Sequence, residues 1–136
     1  MTMIRSAIIL SAIVLITGCS ATFQPPSEPG QYPRSYERSV SETVRAHYLL
    51  SLPGGYSRDG RPWPLMVFLH GAGERGDDIE LVKKHGPPKL IAAGEDLPFI
   101  VLSPQCPEGE WWSNRTLIHL IDHIMIVYNV DPARVY

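Results

Sequence analysis

Apolar positions fall into two kinds of pattern along the chain. From Val44 to Leu52 the side chains alternate, with Val44, Ala46, Tyr48, Leu50 and Leu52 on one face and Arg45, His47, Leu49 and Ser51 on the other. This is the period of a strand with one buried face. Pro53-Gly54-Gly55 ends it, and Asp59-Gly60 marks a second turn. Leu65 to Leu69 and Phe99 to Leu102 are apolar without interruption, as strands covered by helices on both faces are. Between them the pattern predicts a helix opened by Asp77 or Asp78, with Lys83, Lys84 and His85 in its last turn. Gly86-Pro87-Pro88 is expected to end that helix and a short turn to run from Pro88 to Gly94. A helical stripe of Leu117, Leu120, Ile121, Ile124 and Tyr128 predicts an amphipathic helix from Thr116 to Asn129. Asp131-Pro132 then reads as a capped single turn, and Val135-Tyr136 as the start of a third parallel strand. Strand, turn, helix, strand, helix, strand is the order of an α/β domain with a mostly parallel, doubly wound sheet.

The front of the chain follows neither pattern. Arg5 precedes an apolar run from Ala7 to Ile16, broken only by Ser11, whereas a membrane-crossing helix needs roughly 20 apolar residues. A short run with a basic flank is the form of a secretory signal. Ile16-Thr17-Gly18-Cys19 resembles a bacterial lipobox, and that resemblance implies cleavage before Cys19, a diacylglycerol on its thiol and attachment to the membrane. Ser20 follows in place of an aspartate, which in lipoproteins of Gram-negative bacteria resembles an outer-membrane address. Residues 19–36 hold Pro25, Pro26, Pro29, Gly30 and Pro33 among polar neighbours and are expected to form an unordered tether. The chain thus divides into a signal (1–18), a tether (19–36) and a domain (37–136).

Composition changes this picture little. Twelve basic against 14 acidic side chains give a formal charge of -2, with no electrostatic reason for a nucleic-acid partner. Cys19 lies in the leader and Cys106 in a core loop, so no disulfide is expected. Cys106 has no adjacent base to activate it and reads as a packed thiol.

Candidate chemistry concentrates behind the first buried strand, at His70-Gly71-Ala72-Gly73-Glu74-Arg75-Gly76. An acyl-transfer enzyme must stabilise the negative oxygen of a tetrahedral intermediate, and backbone N–H groups fixed in a turn do this well. Gly71 and Gly73, lacking side chains, let a substrate carbonyl come close to the main chain. His70, at the strand end, is expected to brace the loop by hydrogen bonds. Gly71, Gly73 and Gly76 also satisfy the Gly-x-Gly-x-x-Gly spacing of dinucleotide-binding turns. That reading requires an acid at the end of the following strand, whereas Glu95 and Asp96 come before Phe99. His119, Asp122 and His123 share helical spacing suited to metal ligation, but the plainer reading is the polar face of a helix covering a sheet. Trp111 and Trp112 are candidates for a pocket wall, Trp112 the better placed, or for ordinary packing.

Several strings together resemble one family: Gly55-Tyr56, Pro64 to Gly76, Gly86-Pro87-Pro88-Lys89, Ser103-Pro104-Gln105-Cys106-Pro107, Trp112, and Asp131 to Tyr136. They are similar to the amino-terminal half of α/β-hydrolases of the carboxylesterase and polyester-depolymerase-like group, which includes predicted peptidases. The resemblance covers Tyr48 to Tyr136 and implies a truncated α/β-hydrolase fold. In that family the oxyanion N–H falls on Ala72, and the strand begun at Val135 runs into a Gly-x-Ser-x-Gly elbow carrying the nucleophile. The elbow does not occur in these 136 residues, and the triad acid and histidine follow the serine in this fold. The expectation is therefore the front part of an envelope serine ester hydrolase, inactive by itself. It acts on small or polymeric esters and requires no cofactor and no metal. The alternatives are a serine peptidase of the same fold and a non-catalytic envelope lipoprotein.

Overall fold

The computed structural model describes residues 25–39 and 43–136. The signal segment and Cys19 lie outside the described residues. Five strands form one sheet in the order β1-β2-β4-β3-β5, where β1 is Gly30–Ser39, β2 Thr43–Leu52, β3 Trp63–Val67, β4 Ile100–Pro104 and β5 Val130–Val135. β4, β3 and β5 run parallel, while β2 is antiparallel to both of its neighbours. The sheet is thus mixed rather than mostly parallel.

The first departure from expectation is β1. Residues 30–36 were assigned to the tether, yet they pair with β2 from Gly30↔Leu52 to Ser39↔Thr43. Proline in a lone segment argues against a strand, but an edge strand accommodates Pro33 because one row of its N–H groups has no ladder partner. Tyr36, only 6% exposed, supplies the burial that the proline-rich composition conceals.

Alternation in β2 sorts the two faces. Tyr48, Leu50 and Leu52 join Leu65, Ile100 and Leu102 in a core closed by Leu120, Ile124 and Tyr128. These last three belong to or follow helix α2, Asn114–Val127, as its apolar stripe predicts. The Ser113 hydroxyl caps α2, accepting the Thr116 N–H at 3.3 Å, an interaction worth about 1 kcal/mol. Each fully buried leucine or isoleucine contributes about 1.5–3 kcal/mol. Leu49 and Val101 point to the opposite face and are also buried, so the sheet is covered on both sides.

That second cover differs from expectation in kind. Asp78 does cap a helix, accepting the Glu80 N–H at 3.0 Å, but the helix is a 3₁₀ segment over Ile79–Lys84. Gly86-Pro87-Pro88, read as a terminator, instead opens helix α1, Gly86–Ala92. Prolines in the first turn of a helix cost nothing there, because those N–H groups have no intrahelical acceptor. β3 also ends two residues early, at Val67, which leaves Leu69 41% exposed rather than buried between two layers.

Asp131-Pro132 lies inside β5 and does not form a separate turn. Its capping bond is nevertheless present: Asp131 Oδ1 accepts the Ala133 N–H at 3.0 Å, and Oδ2 accepts from Arg134 Nε at 2.6 Å. The Arg134 bond, then the Ala133 bond, holds this carboxyl below the usual carboxylate range. The tight local turn is absorbed as a register shift between the pairs Trp63↔Val130 and Leu65↔Val135, as a bulged strand allows. Among the described residues, no helix is long and apolar enough to cross a membrane.

Candidate functional site

The strand order reverses at β3, because its connection runs through α1 to β4 on one side of it and that of β4 runs through α2 to β5 on the other. Loops that diverge in this way leave a crevice at the carboxyl ends of the strands, where open α/β sheets bind ligands. The Gly-rich loop follows β3 at that point, and Gln105 to Ser113 follow β4, the parallel neighbour on its other side.

His70 joins the two loops. Its Nε2 accepts the backbone N–H of Cys106 at 3.0 Å, and its Nδ1 lies 2.8 Å from the Gly71 carbonyl oxygen. Accepting at Nε2 places the proton on Nδ1, which then donates to Gly71. The ring is 4% exposed and meets the Trp112 indole edge-on, with centroids 4.8 Å apart. With both nitrogens engaged in main-chain bonds, this histidine acts as a brace.

Further bonds tie the loop down. The Gly76 N–H donates to the Cys106 carbonyl at 3.0 Å, and Gln105 Nε2 donates to the Glu74 carbonyl. Glu74 is 8% exposed, and its carboxylate lies 3.5 Å from His85 Nε2. Ala72, Gly73 and Glu74 form a single 3₁₀ turn in which the Glu74 N–H donates to Gly71 at 3.3 Å. A turn of this kind uses its third N–H internally and leaves the first two, on Ala72 and Gly73, unused within the helix. Gly71, Ala72 and Gly73 are all exposed, and a Cβ added at Gly73 would meet no heavy atom within 4 Å. The loop therefore has a pinned base and an open tip bearing main-chain donors.

Beside it, between the end of β4, the start of β2 and the first turn of α2, lies a cavity of about 220 Å³. Trp112 lines it together with Trp111, Pro104, Gln105 and Leu117. Ala72, Gly71 and Gly73 are outside this cavity, while Gly76 and Asp77 at the loop's far end reach it. The sequence reading missed Gln105 and Arg75. Gln105 sits within Ser103-Pro104-Gln105-Cys106-Pro107, where no local pattern marks it, and the Arg75 guanidinium lies 4.2 Å over the Trp111 ring.

Cys106 is 1% exposed, and burial pushes its thiol up, with Arg75 pulling the other way more weakly. In a Cys19→Ala form of the chain, Cys106 is expected to react with dithionitrobenzoate on the order of 10²-fold more slowly than free cysteine. Prompt labelling of a folded sample would contradict this placement. His119, Asp122 and His123 do not converge: Asp122 is exposed, whereas the His123 ring stacks on Tyr36 with centroids 4.3 Å apart. The helical face read as polar thus gives one histidine to the sheet. Among the described residues, no three His, Cys, Asp or Glu side chains are placed to hold a metal ion.

No protein-family model and no curated protein matches the chain. Among solved structures it is similar to a thermostable esterase, 29% identical with a TM-score of 0.56 over 76% of this chain and 32% of the esterase. The chain therefore spans about a third of that esterase's length, and its mixed α/β fold is esterase-like.

Proposed function

We propose that this chain is the amino-terminal part of a serine carboxylic-ester hydrolase and that its Ala72 N–H donates to the oxyanion. The observation that carries the reading is the exposed Gly71–Gly73 tip, held at the carboxyl end of β3 by the His70 and Gln105 bonds. Likeness to an esterase supports it. As a nucleophile adds to an ester carbonyl, the oxygen gains negative charge, and a donor already fixed in place strengthens its bond without reorganising. His70 keeps that donor in place through the main chain and takes no proton from the substrate. Nucleophile, acid and general base come from a Gly-x-Ser-x-Gly elbow and later segments, which these 136 residues do not contain.

An exchange of segments tests this reading. Residues 25–136 replace the matching segment of the thermostable esterase, and hydrolysis of nitrophenyl acetate is measured. Turnover well above buffer is expected, while a folded but inactive hybrid would overturn the reading.

Placement in the cell envelope is a further part of the proposal and rests on Ile16-Thr17-Gly18-Cys19. Cells grown with labelled palmitate are expected to label the unaltered chain and leave Cys19→Ala unlabelled. Equal labelling of the two would rule out lipid attachment at that thiol.

A further inference from the structure

We infer that the lipid on Cys19 and the Gly71–Gly73 tip belong to opposite poles of the sheet, so that the site opens away from the bilayer and takes its ester from the aqueous phase rather than from membrane lipid. The ester rests on the hydrolase reading and the anchor on the lipobox, whereas the polarity follows from strand direction alone. β1 is antiparallel to β2, and β2 to β4, so β1 runs in the same direction as β4, β3 and β5. Its first residue, Gly30, pairs with Leu52, one step beyond the pair Ser51↔Val101. Gly30 therefore stands level with Ile100, where β4 begins, and the chain enters the domain at the amino ends of the parallel strands. The Gly-rich loop stands at their other ends. Val67 is level with Leu102, and His70 reaches the Cys106 N–H, two residues past the end of β4. At the rise of a strand, Ile100 to Cys106 is about 20 Å.

The length of the connection keeps the site off the membrane. The Tyr32 hydroxyl donates to the Glu28 carbonyl at 3.0 Å, which holds the chain beside the start of β1. Cys19 comes nine residues before Glu28, and nine residues of any conformation span at most about 32 Å. β1, ten residues long, extends about 33 Å. Turning the crevice to the bilayer would require the connection to be pulled taut along the side of the domain, whereas a bilayer at the amino pole requires nothing of it. Facing water, the loop donors meet soluble or dispersed polymeric esters directly. An acyl chain of the bilayer would first have to leave the hydrocarbon, where its methylenes are stabilised by burial.

The test places a nitroxide at one pole or the other of the lipidated full chain, in phosphatidylcholine vesicles containing a nickel-chelating lipid. Asp59→Cys puts the label in the turn between β2 and β3, and Glu108→Cys puts it in the loop after β4. Both positions are exposed, while Cys106 is buried and the Cys19 thiol carries the lipid. Nickel at the membrane surface is expected to relax the Asp59 label several-fold faster than the Glu108 label, and to relax neither in the Cys19→Ala chain. Equal relaxation at the two positions, faster relaxation at Glu108, or no lipid on Cys19 would overturn the inference. The substrate is tested in the esterase hybrid extended to residues 1–136 and anchored in the same vesicles. Nitrophenyl acetate in the water is expected to be hydrolysed and no fatty acid to be released from the vesicle lipid; such release would overturn the aqueous source. A hybrid inactive on both would sink the hydrolase reading and with it the ester, while the two labels still decide the orientation.

Discussion

Replacing Ala72 with proline is expected to lower turnover about 10²-fold or more in an esterase that carries this loop and an intact nucleophile elbow. The structure makes this a cleaner experiment than the motif alone would. Proline requires an extended residue before it and tolerates the first position of a helix. Gly71 is extended, with φ -78° and ψ 179°, and Ala72 is the first residue of the 3₁₀ turn. The substitution therefore removes one N–H with little strain, while the bonds that brace the loop belong to His70, Gln105 and Gly76. In the present chain the same change should alter the melting temperature by only a few degrees, about what 0.5 kcal/mol produces. A hydrolase that keeps its rate with proline at this position would show that the oxyanion donor lies elsewhere. A rate loss accompanied by a large loss of stability would mean that the loop had been displaced.

Gly86→Ala should be the most damaging single methyl addition in the described residues. Gly86 has φ +61°, a conformation from which Cβ is normally excluded, and an added Cβ would lie 2.5 Å from the Phe68 ring. The left-handed backbone costs an L-residue about 1–2 kcal/mol, and overpacking a filled site costs about 1–3 kcal/mol more. A loss of about 2–5 kcal/mol follows, which lowers the melting temperature of a domain of this size by roughly 10–30 °C. Phe68→Leu in the same chain should recover part of the packing cost and none of the backbone cost. Gly73→Ala is the control: its φ is not in the left-handed region and nothing lies within 4 Å of the added carbon, so stability should hold within about 0.5 kcal/mol. Equal effects at the two glycines would contradict the placement of Phe68 against the start of α1.

The residues that mispredicted share a physical cause. Gly86-Pro87-Pro88 contains the commonest breakers of regular structure, and read locally it ends a helix. It starts one because the N–H groups that proline lacks are those a first helical turn leaves unbonded. Asp131-Pro132 is locally capped, as its sequence implies, since the Ala133 N–H reaches Asp131. The capped turn nevertheless became a bulge in β5, because β3 offers ladder partners on either side of it. β1 was concealed in the same way: Tyr32, Pro33 and Tyr36 become a strand only when β2 lies alongside.

Local pattern alone determined the alternation of β2, the buried character of β4, the amphipathic face of α2 and the position of the Gly-rich turn behind a strand, whereas of the apolar run Leu65 to Leu69 only Leu65 is buried. Each of these depends on residues near one another in the chain, where spacing maps directly onto faces and turns. It also marked His70, three residues beyond the end of β3, as a brace of the loop. The partner it reaches was not legible. The Cys106 N–H, the Glu74 carbonyl held by Gln105 and the Trp112 edge against His70 bring together segments more than 30 residues apart. Such contacts exist only once β3 and β4 are parallel neighbours, because the pairing sets the two loops side by side. The cavity beside them and the buried Gln105 side-chain oxygen, unpartnered among the described residues, were likewise decided by the tertiary structure, since a void and an unmet acceptor belong to the packing of several elements and to no residue by itself.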